Sequence, residues 1–95
     1  EIYRVLKREG RHIFTVPFYS KGFADDKRAA VVDGKVVYFK EPIFHHDPLR
    51  PEGALVFTIF SLEMLVKLNS IGFMTNMYVL RIPQYGILGE NAIVF

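Results

Sequence analysis

The segment that most constrains this chain is Arg11 to Phe18, RHIFTVPF, with the run Glu1 to Arg8 in front of it. Ile13, Phe14 and Val16 are apolar and β-prone, and Pro17 ends a strand because proline cannot donate to a sheet ladder. Upstream, Ile2, Val5 and Leu6 fall at helical spacing, and Gly10 stands where a helix commonly ends. A helix followed by a buried strand is the second half of an αβ unit whose first strand is not among these residues. The other elements are expected to decorate or flank this strand.

Ninety-five residues make one small domain, near the low end of what a single core stabilises. Apolar residues are 51% and aromatic residues 15%, with nine Phe and five Tyr, which implies more buried surface than so short a chain covers alone. The net charge is +2, and the twelve basic residues are spread along the chain rather than clustered. That distribution argues against a nucleic-acid partner. With no Cys there is no disulfide framework or thiolate zinc site, which fits a reducing, cytoplasmic setting. No apolar run is long enough to span a bilayer, so no membrane partner is expected. The chain opens in mid-helix, without a cap before Ile2, and the whole of 1–95 is expected to be one partial domain.

Further along, Tyr19 to Asp26 is rich in turn formers. Arg28 to Val32 and Lys35 to Phe39 flank Asp33-Gly34, a strong hairpin signal, since a type I′ turn needs positive φ at both central positions. This hairpin, about 27–40, reads as an inserted arm. Pro42, Pro48 and Pro51 argue against a regular element over Glu41 to Gly53, and Ala54 to Phe57 reads as a short extended piece. Ser61 can cap a helix from Leu62 to Ile71, with Glu63 in its first turn and Gly72 as its stop. Asn76 to Ile82 reads as a strand ended by Pro83, Gln84 to Gly89 as a loop, and Ala92 to Phe95 as a last strand. The closing strands are too close in sequence for a parallel crossover and should pair antiparallel. A helix joins the first strand to the penultimate one, which allows them to be parallel. The expected architecture is α/β: a mixed three-stranded core with the last strand in the middle.

Taken together, several blocks resemble one family. Glu1-Ile-Tyr-Arg-Val-Leu-Lys7 followed by Gly10-Arg-His-Ile-Phe-Thr-Val-Pro17 looks like the stretch entering the fifth strand of class I S-adenosylmethionine-dependent methyltransferases. Helix 62–71 with Gly72-Phe73 is similar to that family's last helix, and the closing strands resemble its antiparallel terminal hairpin. His45 to Pro48, Gly53-Ala-Leu-Val-Phe57 and Tyr85 to Asn91 resemble a bacterial subgroup of unassigned substrate that carries the same hairpin arm. The resemblance runs over essentially the whole chain. It departs from the pattern at Arg8-Glu9, where the family usually has Pro-Gly.

The resemblance implies the C-terminal part of a Rossmann-like methyltransferase sheet with an inserted hairpin arm. The implied cofactor is S-adenosylmethionine, yet these residues hold no G-x-G-x-x-G loop, so no cofactor-binding residue is assigned. The chain is then the substrate-side half of the enzyme, inactive without its cofactor-binding half. Its partners would be that missing half and an unknown methyl acceptor. Among the residues, His45 is the candidate catalytic base, because imidazole changes charge nearest neutral pH. Tyr19, His45 and Asp47 are candidate substrate contacts, joined by Glu90 and Asn91 in the last loop. Each has a plainer reading: a proline-pinned loop with Asp47 capping a turn, loop packing for Tyr19, and a glycine-rich connection around Glu90. No metal site is expected, since adjacent residues of an extended segment point apart. His12 reads as an edge residue and Lys27-Arg28 as a solvated face. Without a neighbouring strand, the edge of strand 11–18 is left for homo-oligomer formation. The alternative to an enzyme half is a degenerate module that works by self-association or partner binding.

Overall fold

In a computed structural model the backbone is described over residues 1–95, and the side chains over all but residues 90–92. The chain divides into two compact units: Glu1–Val16 with Met64–Phe95, and Pro17–Glu63.

The first unit opens with a single helical turn, α1 (Ile2–Val5). It is shorter than the expected helix because so few residues cannot offset the cost of nucleation. Leu6 is already extended, and the positive φ of 63° falls on Glu9 rather than on Gly10. The helix expected after Ser61 is present as α2 (Leu62–Ile71), most of it in this unit. Its end is closed by two backbone bonds, Gly72 N–H to Asn69 O at 3.0 Å and Phe73 N–H to Leu68 O at 3.2 Å. These are the two bonds of a Schellman motif, which satisfy carbonyls that the helix leaves free.

The second unit is a succession of short antiparallel ladders. Its strands are β1 (Asp26–Lys27), β2 (Ala29–Val32), β3 (Lys35–Tyr38), β4 (Phe44–Asp47), β5 (Arg50–Leu55) and β6 (Thr58–Ile59). They pair β1 with β6, β2 with β3, and β4 with β5, every pair antiparallel. The β2–β3 hairpin turns at Asp33 (φ 50°) and Gly34 (φ 74°), the pair of positive angles that the Asp-Gly signal demands. The proline-rich stretch, read as irregular, instead forms the β4–β5 hairpin. A two-stranded ladder has only edges, and an edge tolerates a proline such as Pro51. The register slips between His45 and Asp47. Gly53 stands opposite with φ 80°, so close that an added Cβ would lie 2.6 Å from the His45 carbonyl oxygen.

Back in the first unit, β7 (Tyr78–Ile82) and β8 (Ile87–Val94) pair antiparallel, with a 3-10 turn at Pro83–Tyr85 between them. The final strand therefore starts earlier than Ala92, because Gly86 takes up the turn.

The expected Rossmann-like methyltransferase sheet, with its mixed three-stranded core, is not formed. Four two-stranded antiparallel sheets stand in its place. Arg11–Phe18, read as the strand around which the others are arranged, forms no ladder. Phe14 exchanges both backbone hydrogen bonds with Phe95, at 3.1 Å each, and Phe18 makes one parallel bridge to Phe60. The reason is physical. A strand in a parallel or mixed sheet needs neighbours along its edges and layers over both faces, and Ile13 here is 71% exposed. Hairpins close short loops at small entropic cost and form without those partners. Burial is correspondingly sparse. Among the described residues, Met64 and Phe95 are the buried apolar side chains of the first unit, and Ala29 and Val56 those of the second.

Candidate functional site

The second unit holds Tyr19, His45 and Asp47. His45 and Asp47 lie in β4 on either side of the register slip, which breaks the two-residue alternation that would put them on one face. His45 is exposed, and its Nδ1 lies 3.0 Å from the His46 carbonyl oxygen. Asp47 accepts a hydrogen bond from the Leu49 N–H at 2.9 Å, and its other oxygen faces Arg50 Nε at 3.9 Å. That carboxylate closes the tight turn through Pro48, the plainer of its two expected roles. The imidazole of His45 is the open side chain of the pair.

Tyr19 is held by its backbone and leaves its ring free. Its N–H donates to Phe60 O at 2.8 Å, and its carbonyl accepts from Ser61 Oγ at 2.7 Å, while the residue stays 54% exposed. Ser61 is the centre of a polar knot that the sequence reading missed. It is 1% exposed, and its hydroxyl also contacts the Gly22 carbonyl. Its own N–H donates to Asp25 Oδ1 at 2.8 Å, while the Asp25 N–H donates to Glu63 Oε2 at 2.8 Å. The Glu63 N–H in turn donates to Phe23 O at 2.8 Å. The residues were visible as a helix start. Their partners, some forty positions upstream at Tyr19 to Asp25, carry no spacing signal.

A second cluster corrects the reading of Lys27-Arg28 as a solvated face. The Arg28 side chain is only 14% exposed and donates to Asp26 Oδ2 at 2.9 Å and to the Glu41 carbonyl at 2.7 Å. Lys40 Nζ reaches Asp26 Oδ1 at 2.6 Å. The hydrogen bond from Lys40 holds the Asp26 carboxyl below the ordinary carboxylate range, against partial desolvation and with Arg28 adding to the effect. Lys27 lies over the Phe39 ring, 5.5 Å from its centroid. These contacts pin the base of the β2–β3 hairpin.

In the first unit, His12 stacks on Phe14 with ring centroids 4.8 Å apart. Glu90 and Asn91 lie outside the residues whose side chains are described. No group of three or more His, Cys, Asp or Glu side chains able to hold a metal is found among the described residues. No helix among them is long and apolar enough to cross a membrane.

Compared with known proteins, the chain matches no family model, no curated protein and no solved structure.

Proposed function

We propose that this chain is the acceptor-side half of an S-adenosylmethionine-dependent methyltransferase, completed by a second half that binds the methyl donor. The observation that carries the reading is the exposed His45 imidazole in β4, within the His45 to Pro48 block of the resemblance. In this reading His45 takes a proton from the acceptor, and Tyr19, on a loop fixed by Ser61, orients it. A bound sulfonium donor would supply the methyl group, and this half would supply position and one base. The absence of Cys agrees with a cytoplasmic setting.

The test is calorimetric titration with S-adenosylmethionine and S-adenosylhomocysteine. The 95-residue chain is run beside the longest natural polypeptide that contains it. Binding by the longer chain alone supports the proposal. Binding by neither removes the enzyme reading, and binding by the 95-residue chain places the donor site where this reading does not.

A second reading, self-association without catalysis, is favoured by the exposure of apolar side chains. Val31, Tyr38 and Phe39 of the hairpin arm are each more than half exposed, and so is Ile13 in the segment 11–18. Apolar surface beside unpaired strand edges invites pairing with a second copy.

A further inference from the structure

We propose that the first unit binds a small planar aromatic anion, in a cavity bounded by α1, the segment 7–14 and the loop that follows α2. The cavity has a volume of about 820 Å³, and every residue lining it belongs to this unit. Small-molecule sites span roughly 300–1,000 Å³ and combine aromatic walls with a few placed polar groups. Both ingredients are present. Lys7, Arg8 and Arg11 line the cavity, and Glu9 is the one acidic side chain among its described lining residues. Guanidinium groups match carboxylate and phosphate oxygens in a two-point fork, so the excess of cations selects an anion.

The cavity lining is also aromatic. His12, Phe14 and Phe95 stack in series, with centroids 4.8 Å and 5.5 Å apart, and Tyr3 meets Phe73 edge-on at 5.1 Å. A flat ring extends such a stack. The site is separate from His45 and Asp47, which belong to the other unit, so it does not depend on the methyl-transfer reading.

The experiment titrates the full chain with 2-naphthoate, 2-naphthyl phosphate, neutral 2-naphthamide and acetate, by calorimetry and by amide chemical shifts. One or both naphthyl anions should bind below about 1 mM, with 2-naphthamide and acetate at least about tenfold weaker, and the tighter anion identifies the carboxylate or the phosphate as the natural group. The double variant Arg8→Gln/Arg11→Gln alters two exposed side chains and should weaken the anion about tenfold. Shifts should concentrate in segments 3–14 and 72–78. Equal binding of the amide, an unchanged affinity in the double variant, or no binding of either naphthyl anion at millimolar concentration would overturn the proposal.

Discussion

Replacing Gly53 by Ala tests whether the β4–β5 hairpin, which carries His45 and Asp47, is built as described. Two costs combine at this position. The backbone has φ 80°, and a residue with a Cβ gives up about 1–2 kcal/mol there. The new Cβ would also stand 2.6 Å from the His45 carbonyl oxygen, which is backbone and cannot swing away. Relieving that overlap means moving one strand against the other, at a further cost of about 1–3 kcal/mol, as for other overpacked sites. Gly34 is the internal control, because it has φ 74° with nothing within 4 Å of an added Cβ. Gly34→Ala should therefore carry the backbone cost alone. For a chain of this size, about 1 kcal/mol corresponds to roughly 4–8 °C in Tm. Gly53→Ala should fall roughly 8–40 °C below the parent, and Gly34→Ala about half as far or less. The assay is paired thermal unfolding followed by circular dichroism, with hydrogen exchange of the Val56 amide, which donates to Ile43 O beside this hairpin. Exchange at Val56 should quicken in Gly53→Ala and not in Gly34→Ala. If the two variants lose equal stability, the close approach of Gly53 to His45 is refuted, and with it the register assigned to β4.

Three further predictions follow from the polar clusters and the exposed surface. Ser61→Ala removes a buried hydroxyl from between the Tyr19 and Gly22 carbonyls and should cost about 1–3 kcal/mol, with faster amide exchange through 19–25; unchanged exchange would show that the knot does not hold the loop. Because the folded Asp26 carboxyl lies below its ordinary range, its ion pairs stabilise fully above that range and are lost as pH falls below about 4 through the lowered value. Asp26→Asn should accordingly flatten the acid limb of a stability–pH profile, and an unaltered limb would exclude this group. Light scattering of the chain at high micromolar concentration should show dimers or larger species, with Val31→Lys shifting the balance toward monomer; a clean monomer in the parent would remove the self-association reading.

What could be read from the residues was local. The Asp33-Gly34 hairpin and helix 62–71 with its Gly72 stop depend on φ preferences and end chemistry within a few residues, so they stand in the structure where the sequence puts them. The same logic misjudged Glu41 to Gly53, because a proline forbids only those ladder bonds its own nitrogen would make, and a two-stranded edge does not require them. It misjudged Arg28 as well, since its partner, the Glu41 carbonyl, arrives only when the hairpin brings residue 40 back beside residue 26. Of the candidate site, the turn that Asp47 caps was legible. The Ser61 knot was not.

The fold class shows where sequence and tertiary structure part. Ile13, Phe14 and Val16 together with the helical spacing before them determine that Arg11 to Phe18 is able to be a strand. Whether it becomes one depends on a partner edge and on cover for both faces, and these are properties of the rest of the molecule. In this chain Phe95 supplies a single reciprocal pair to Phe14, while the hairpins close on themselves. Short-range turns and caps were settled by the sequence. The choice between one mixed sheet and four antiparallel pairs was settled by tertiary structure, because long-range pairing must recover its loop entropy from burial that these 95 residues do not supply.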